Sequence, residues 1–481
     1  MKYLPKYVIL FLLLFGFEKN NFLNAQQNPT KQEKNFTSLW EGKLNFGSVS
    51  LRLVVKIFKN DDGSTGALLD SPDQSANNIP TEDVVFTDGS LKFEIKSLGA
   101  KYIGATVIDS MKIRGNFTQR GMTLPLDFEK IDKLVEIKRP QNPQKPYPYN
   151  DEEVTFENKS ANITLTGSFT YPKGDGKFPV IVLVTGSGPQ DRDESLMNHK
   201  PFLIISDYLT RNGIAVLRYD DRGIGKSKGN FAAATSEDFA TDALAAVEYL
   251  KTRKEIDPKK IGVAGHSEGG LIAPMCAVNS DDVHFIVMIA GPGVTGKEIL
   301  LLQTKLINRA NGDSEEKINK GEKLSKKIYE IILNEPDNDI AERKIKELYD
   351  KIYSTLTGEE KKEADVQKTM MDQQIKQLLS PWFRFFLKYD PRPTLENVTV
   401  PVLALNGEKD YQVDSKQNLP EIEEALKSGG NKNFKIVEMP GLNHLFQKCK
   451  TCTVAEYGQL EETFSEDALK IIKDWILEVT K

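Results

Sequence analysis

The feature that most constrains the fold of this chain is a series of short apolar runs that begins after residue 151. The runs are rich in β-branched residues and do not alternate with polar ones, which is typical of strands buried on both faces of a sheet. They cover residues 180–184, 214–217, 261–264, 285–289, 402–405 and 434–437. Helical patterns lie between several runs, notably at 236–254, where Ser236 is the predicted capping residue. This alternation predicts a mostly parallel sheet flanked by helices over residues 151–481.

The residues before this region have a different pattern. Residues 36–138 combine twofold alternation with frequent turn signals, which predicts a separate N-terminal all-β domain. The alternation is clearest at Leu51, Leu53, Val55 and Ile57. Closely spaced prolines in residues 139–150 predict an extended linker between the two domains. A chain of 481 residues is long enough for such a division.

Residues 295–390 interrupt the alternation of strands and helices. They are rich in Lys, Glu, Leu and Ile at helical spacing and contain no convincing strand pattern. We interpret their charges as a solvated helix surface. Because this stretch is inserted between two strands of the predicted sheet, we expect a helical lid over the functional site.

The first residues have the pattern of an export signal. Lys2 and Lys6 precede a short apolar run at 7–17, which is too short to cross a bilayer because a spanning helix needs about 20 residues. Ala25 is the predicted cleavage point, so residues 1–25 would be removed, although an uncleaved anchor helix stays open. We therefore expect an exported protein, periplasmic or secreted. The net charge of −5 gives no reason to expect a nucleic acid or an anionic membrane surface as a partner.

Two segments match the G-x-S-x-G pattern of a nucleophile elbow. Residues 265–269 read Gly-His-Ser-Glu-Gly, and residues 225–229 read Gly-Lys-Ser-Lys-Gly. The elbow requires a strand before the serine and a helix after it. Ser267 has both, whereas Ser227 lies in a loop rich in glycine and lysine. The context selects Ser267 as the predicted nucleophile.

A serine hydroxyl needs a neighbouring base, and the chain has four histidines. His266 lies inside the elbow, where its backbone forms the turn, and His284 begins a predicted central strand. His199 follows the first core strand and has no predicted role as the base. His444 lies in the loop after the last predicted strand and completes the chain order serine, acid, histidine. His444 is therefore the predicted base.

The acid that orients the base should follow the preceding strand. Asp410 is the favoured residue, because a carboxylate there would hold the imidazole of His444 in the right tautomer. Glu408 and Asp414 lie close by in sequence and remain alternatives.

The oxyanion formed during attack needs two N–H donors. The backbone of Glu268, directly after the nucleophile, is one predicted donor. The backbone of Ser187 is the other, in the loop Gly186-Ser187-Gly188-Pro189 after the first core strand. These glycines also suit a plain turn, so the assignment of Ser187 stays a hypothesis.

At this point residues 151–481 resemble the α/β-hydrolase superfamily, in the branch of exported bacterial acyl esterases and serine aminopeptidase-like enzymes. The resemblance rests on the segments 186–193, 219–223, 265–270, 407–410 and 441–444. It implies an α/β-hydrolase fold and hydrolysis through an acyl-enzyme with no metal and no organic cofactor. One position departs from the pattern, because many relatives carry His-Gly before the oxyanion residue and this chain carries Thr185-Gly186.

The sequence thus predicts a serine hydrolase that cleaves carboxylic esters of small substrates with Ser267, Asp410 and His444. A peptidase acting on short peptides is the first alternative, and a non-catalytic binding protein on the same scaffold is the second. The three cysteines are too few for a disulfide framework. Cys449 and Cys452 are predicted to form one small disulfide, with free thiols as the alternative, and Cys276 to be buried.

Overall fold

The computed structural model describes residues 36–481 apart from a few short gaps. The gaps are residues 47–48, 73–75, 88, 107–110, 120–121, 135–136 and 359–370. Within the last of these gaps, residues 361, 364 and 368 are described. The predicted export signal, residues 1–25, lies outside the described residues.

The N-terminal region is an antiparallel β-sheet, as its alternating pattern predicts. Its strands are β1 (Phe36–Phe46), β2 (Val49–Lys59), β3 (Thr65–Ser71), β4 (Ala76–Pro80), β5 (Glu82–Thr87), β6 (Ser90–Ile95), β7 (Ala100–Thr106), β8 (Lys112–Gln119), β9 (Met122–Pro125) and β10 (Phe128–Ile131). The order is β4-β3-β2-β1-β10-β8-β7-β6-β5, with β9 paired to β8. Its core contains an aromatic cluster, in which the rings of Phe93 and Phe128 both pack on the buried ring of Tyr102.

The segment after this sheet is held against the second domain. The Arg139 guanidinium donates hydrogen bonds to the carbonyl oxygens of Met197, Asn198, Gly458 and Leu460. These contacts anchor the first linker residue to two loops that are far apart in sequence.

The second domain is built on a mixed sheet. Its strands are β11 (Asn150–Asn158), β12 (Ile163–Tyr171), β13 (Phe178–Val184), β14 (Ala215–Tyr219), β15 (Ile256–His266), β16 (Phe285–Ile289), β17 (Val402–Gly407) and β18 (Phe434–Met439). The order is β11-β12-β14-β13-β15-β16-β17-β18. The sheet is antiparallel at β11-β12 and β12-β14, and every other pairing is parallel. The strands β11 and β12 were not among the predicted runs, because exposed residues alternate along β11 and polar residues interrupt β12.

Helices cover both faces of this sheet. They are α1 (Pro201–Arg211), α2 (Ser236–Lys251), α3 (Glu268–Asn279), α4 (Gly296–Ala310), α5 (Glu315–Asn334), α6 (Asn338–Tyr353), α7 (Met371–Leu378), α8 (Pro381–Lys388), α9 (Arg392–Glu396), α10 (Ser415–Ser428), α11 (Val454–Tyr457) and α12 (Glu466–Val479). Val180 and Val182 of β13 enter one apolar core, while Ile181 and Leu183 enter the core on the opposite face. Burial on both faces explains why these strands lack alternation. The predicted α/β-hydrolase fold is confirmed.

The start of α2 differs from the sequence prediction. Thr235, and not Ser236, is the capping residue, because Thr235 and Asp238 form a reciprocal capping box. The Ser236 hydroxyl is used elsewhere, since it donates to the carboxylate of Glu268.

Helices α4 to α9 lie between β16 and β17 in the chain, so they form a helical insertion. Trp382 and Phe383 of α8 bring this insertion against the rest of the domain, where Phe383 enters the larger core. Among the described helices, none is long and apolar enough to span a bilayer.

Candidate active site

The parallel strands place the ends of β13, β15, β17 and β18 at one edge of the sheet. Ser187 follows β13, Ser267 follows β15, Asp410 follows β17 and His444 follows β18. The chain order also changes direction across the sheet at β13, which lies between β14 and β15. Ligands bind at this edge of open α/β sheets, so the topology gathers every predicted site residue where function is expected.

Ser267 occupies a strained turn. It lies between the last residue of β15 and the first of α3, with φ 53° and ψ −116°. A non-glycine residue rarely adopts a positive φ, because this conformation is strained. It persists only where surrounding contacts stabilise it. The Ser267 N–H donates to the carbonyl oxygen of Ile289 at 2.8 Å, which ties the turn to β16. This geometry is that of a nucleophile elbow.

The glycines of the elbow are required by close backbone approach. A Cβ atom on Gly265 would overlap the backbone of Gly269, and a Cβ atom on Gly269 would overlap the carbonyl oxygen of Val184. Helix α3 can therefore leave the turn at this steep angle only if both positions lack a side chain.

His444 and Asp410 form a buried pair. The Nδ1 atom of His444 lies 2.7 Å from Oδ2 of Asp410, and Asp410 is 1% exposed. The other carboxylate oxygen accepts the backbone N–H groups of Gln412 at 2.8 Å and Val413 at 2.9 Å. With Nδ1 as the donor, the lone pair of a neutral imidazole is on Nε2, where a general base needs it.

The two alternative acids have other partners. Glu408 accepts the backbone N–H of Gly441 at 3.0 Å, and Asp414 caps α10 by accepting the N–H of Gln417 at 2.8 Å. Within the described residues, only Asp410 of these three acids contacts the His444 ring.

His444 lies against the residue that precedes Ser267. The ring of His266, the residue before the nucleophile, lies 4.7 Å from the ring of His444 between centroids. In the described part of the chain, the Ser267 hydroxyl and Nε2 of His444 have no hydrogen-bond partner. Such bonds often form only when substrate binds.

The two predicted oxyanion donors are backbone N–H groups of segments close to Ser267. A Cβ atom on Gly186 would lie 3.2 Å from Cβ of Ser267, so the loop carrying Ser187 approaches the nucleophile closely. Among the described groups, none accepts a hydrogen bond from the N–H of Ser187 or Glu268. Two unpaired N–H groups beside a strained serine are suited to bind a developing negative charge.

The carboxylate of Asp221 fixes the loop that contains Ser187. It accepts the Thr185 hydroxyl at 2.8 Å through one oxygen and the Gln190 N–H at 2.8 Å through the other. Thr185 stands where many relatives carry histidine, and its hydroxyl supplies a side-chain anchor for the loop at that position.

The side chain of Glu268 connects the elbow to the helical insertion. Its Oε1 atom accepts the Ser236 hydroxyl at 2.6 Å and the indole N–H of Trp382 in α8 at 2.7 Å. Burial raises the pKa of Glu268, and hydrogen bonds from Ser236 and Trp382 oppose the shift. The insertion is thereby attached to the residue directly after the nucleophile.

The remaining histidines and the second serine motif have structural contacts. His199 is fully buried and bonds to Thr463 and to the carbonyl oxygen of Tyr457. His284 contacts the carbonyl oxygen of Asp282. The Ser227 hydroxyl donates to the carbonyl oxygen of Asp220 at 2.7 Å and is buried, so it holds a loop together.

Two residues that the sequence interpretation did not assign also belong to the site. Glu194 accepts the Gly186 N–H at 2.8 Å and contacts Nδ1 of His266 at 2.9 Å. His266 contacts the carbonyl oxygen of His444 through Nε2 at 2.9 Å. The only sequence signal was the position of Glu194 in the charged loop after β13 and of His266 inside the elbow.

Two of the three cysteines are joined close to the loop that carries His444. Cys449 and Cys452 form a disulfide, and the Cys449 sulfur lies 3.5 Å from the carbonyl oxygen of Gly441 in the loop of His444. Cys276 is fully buried in α3, and burial raises the pKa of its thiol to about 12. Over the described residues, no group of three or more metal-ligating side chains comes together.

Comparisons with known proteins agree with this geometry in part. A family model described as serine aminopeptidase, S33, matches residues 202–355, which include Ser267 but neither Asp410 nor His444. Esterase EstD of Thermotoga maritima is 32% identical over 300 residues, covering 62% of this chain and 61% of EstD. The putative hydrolase YtaP of Bacillus subtilis is 29% identical over 172 residues, covering 29% of this chain and 56% of YtaP.

The chain therefore spans less than two thirds of each of these curated relatives. Among solved structures, an esterase of Pyrococcus furiosus, Pf2001, is 16% identical, with 72% of this chain and 98% of that chain covered at a TM-score of 0.42. The chain has the α/β-hydrolase fold, preceded by an all-β region, and is similar in sequence to hydrolases of the serine aminopeptidase family and to a bacterial esterase.

Proposed function

We propose that this protein is a serine hydrolase that cleaves carboxylic ester bonds of small substrates through an acyl-enzyme. The observation that carries the proposal is the strained turn at Ser267, whose preceding residue His266 packs on the ring of His444, the histidine paired through Nδ1 at 2.7 Å with a buried aspartate. The similarity to an esterase supports ester hydrolysis.

In the proposed reaction, Ser267 Oγ attacks the carbonyl carbon while Nε2 of His444 takes the hydroxyl proton. Asp410 holds the imidazolium that forms. The N–H groups of Ser187 and Glu268 bind the oxyanion, which collapses as the leaving alkoxide takes the proton from His444. Water, activated by the same histidine, then releases the acyl group and restores Ser267.

The test combines covalent labelling with turnover. Purified protein is treated with a fluorophosphonate probe and assayed on short-chain p-nitrophenyl esters, beside Ser267→Ala and Ser227→Ala. We expect labelling and turnover in the wild type and in folded Ser227→Ala, the serine of the other G-x-S-x-G match, and neither in folded Ser267→Ala. Labelling that persists in Ser267→Ala would show that the nucleophile is another residue.

A peptidase is the second candidate, because the matching family model is described as a serine aminopeptidase. A panel of aminoacyl p-nitroanilides beside the esters separates the two, since a peptidase would release nitroaniline with a comparable kcat/KM. A binding protein without catalysis is the third possibility, and it would show neither labelling nor turnover although folded.

We further propose that residues 1–25 are a signal peptide and that the protein is exported to the periplasm or secreted. The basic start and short apolar run support this, and the Cys449–Cys452 disulfide suits an oxidising compartment. Sequencing the N-terminus of the native protein tests the proposal. A mature chain starting at Gln26 is expected, and a chain that starts at Met1 in the cytoplasm would contradict it.

A further inference from the structure

A second buried acid–histidine pair lies beside the proposed triad. One oxygen of Glu194, Oε1, receives the Gly186 N–H at 2.8 Å and faces Nδ1 of His266 at 2.9 Å. The opposite ring nitrogen of His266, Nε2, faces the carbonyl oxygen of His444 at 2.9 Å. Glu194 and His266 are 5% and 6% exposed. This pair therefore joins the oxyanion loop, the elbow and the loop of the base.

The hydrogen-bond partners of His266 indicate the protonation state of the pair. Both nitrogens of His266 face oxygen atoms that accept hydrogen bonds, a carboxylate on one side and a carbonyl on the other. Both contacts are favourable only if one proton lies between Nδ1 and the carboxylate and another between Nε2 and the carbonyl. An imidazolium beside an ionised Glu194 provides both protons. Burial is the largest single effect and lowers the pKa of His266, but the contacts with Glu194, the carbonyl of His444 and the charge of Asp410 together raise it, in agreement with this state.

The backbone and burial of Glu194 indicate that its position is imposed by these contacts. Its φ is 52°, which is unusual for a glutamate. Its second oxygen, Oε2, is buried and has no partner among the described atoms. A buried oxygen without a hydrogen-bond partner destabilises the folded state. The contacts that stabilise this carboxylate are therefore those of Oε1.

We propose that Glu194 and His266 are positioning residues for the hydrolase reaction, which set the oxyanion loop and His444 relative to Ser267. The inference rests on the proposed function. Gly186 precedes the oxyanion residue Ser187, and the carbonyl of His444 belongs to the base itself. Loss of the pair would therefore displace both groups from the nucleophile, and a displacement of about 1 Å in an active site reduces the rate about 100-fold.

Glu194→Gln is the most informative change. A neutral glutamine does not stabilise an imidazolium, so His266 keeps one proton. If the glutamine oxygen takes the place of Oε1, the ring keeps its proton on Nδ1 and loses its hydrogen bond to the carbonyl of His444. If the NH2 group takes that place, both ring contacts survive and the Gly186 N–H loses its acceptor. We expect kcat to fall roughly 10-fold to 100-fold, while KM changes less than about threefold because substrate contacts remain.

A matched control is available in the N-terminal domain. One oxygen of Asp70, which is also buried, accepts a backbone N–H from Asn78 at 2.7 Å and pairs with buried Lys56 at 2.7 Å. Asp70→Asn thus removes the same kind of interaction far from the site in sequence. It should leave kcat and KM unchanged.

The experiment counts active sites with the fluorophosphonate probe in the full-length protein and divides turnover by labelled sites. The proposal predicts complete but slow labelling of Glu194→Gln, with a reduced kcat per labelled site. A purely structural pair would instead lower the fraction of sites that label while kcat per labelled site stays at the wild-type value, and this result would overturn the proposal.

His266→Gln serves as the second variant, with the same expected loss of kcat at nearly constant KM. Unfolding of both variants, as seen by circular dichroism, while Asp70→Asn stays folded would also overturn the proposal in favour of a structural role. A wild type that neither labels nor turns over would refute the proposed function itself, which separates the two failures.

Discussion

Asp410→Asn is the change whose effect follows most directly from the geometry. One oxygen of Asp410 accepts two backbone N–H groups, from Gln412 and Val413, and the other receives Nδ1 of His444 at 2.7 Å. An asparagine must keep its oxygen toward the two N–H donors. Its NH2 group therefore points at Nδ1 of His444, which must become an acceptor.

The neutral imidazole then carries its proton on Nε2, the nitrogen that should receive the proton of Ser267. This is the wrong tautomer for a general base. In Ser-His-Asp enzymes the same substitution lowers kcat about 10⁴-fold, which corresponds to about 5.5 kcal/mol in the activation free energy. We expect a loss of that size here, because the two backbone donors leave the asparagine no other orientation.

The assay measures kcat on a p-nitrophenyl ester and the rate of fluorophosphonate labelling, at constant pH. Asp414→Asn is the control, since Asp414 caps α10 and does not contact His444. Its kcat should stay within about twofold, because the cap lies outside the reacting groups. An Asp410→Asn variant that is folded and loses less than about 10-fold would refute the assignment of Asp410 as the orienting acid.

Two further predictions concern stability. Gly265→Ala should destabilise the protein by about 3 kcal/mol or more, and lower Tm by roughly 6–12 °C, because the new Cβ would overlap the backbone of Gly269. Gly176→Ala is the control, since a Cβ atom added there would have no atom nearer than 3.7 Å. Equal melting temperatures of the two variants would contradict the argument. Burial lowers the pKa of His199 from 6.5 to about 4, so the unfolded chain binds more protons between these values. Stability therefore decreases as the pH is lowered from 6.5 to 4, by up to about 3 kcal/mol. The difference in unfolding free energy between wild type and His199→Gln, from urea titrations, should therefore be smaller at pH 4.5 than at pH 7, and a difference that does not change with pH would be inconsistent with a buried neutral histidine.

The sequence predicted those parts of the fold that depend on neighbouring residues. The strands of the parallel sheet were recognisable because burial on both faces requires continuous apolar runs, and β13 sends alternate residues into two cores. The strands β11 and β12 were missed because neither is a continuous apolar run. Exposed residues alternate along β11, and Thr, Ser and Gly interrupt the apolar residues of β12 although no residue of that strand is exposed. The predicted cap of α2 was off by one residue, since both Ser and Thr cap helices. Thr235 forms the capping box with Asp238, while the hydroxyl of Ser236 donates to Glu268, which is distant in sequence.

The sequence alone predicted the order of Ser267, Asp410 and His444 and the glycines of the elbow. Strand order determines the spacing of such residues, and local backbone crowding determines where glycine is required. The tertiary structure decided which of Glu408, Asp410 and Asp414 meets the base. It also brought Glu194 to His266 and the insertion's Trp382 to Glu268. These contacts join residues 34 to 114 positions apart, and their geometry depends on how sheet edges and loops pack in space, which no local pattern of residues records.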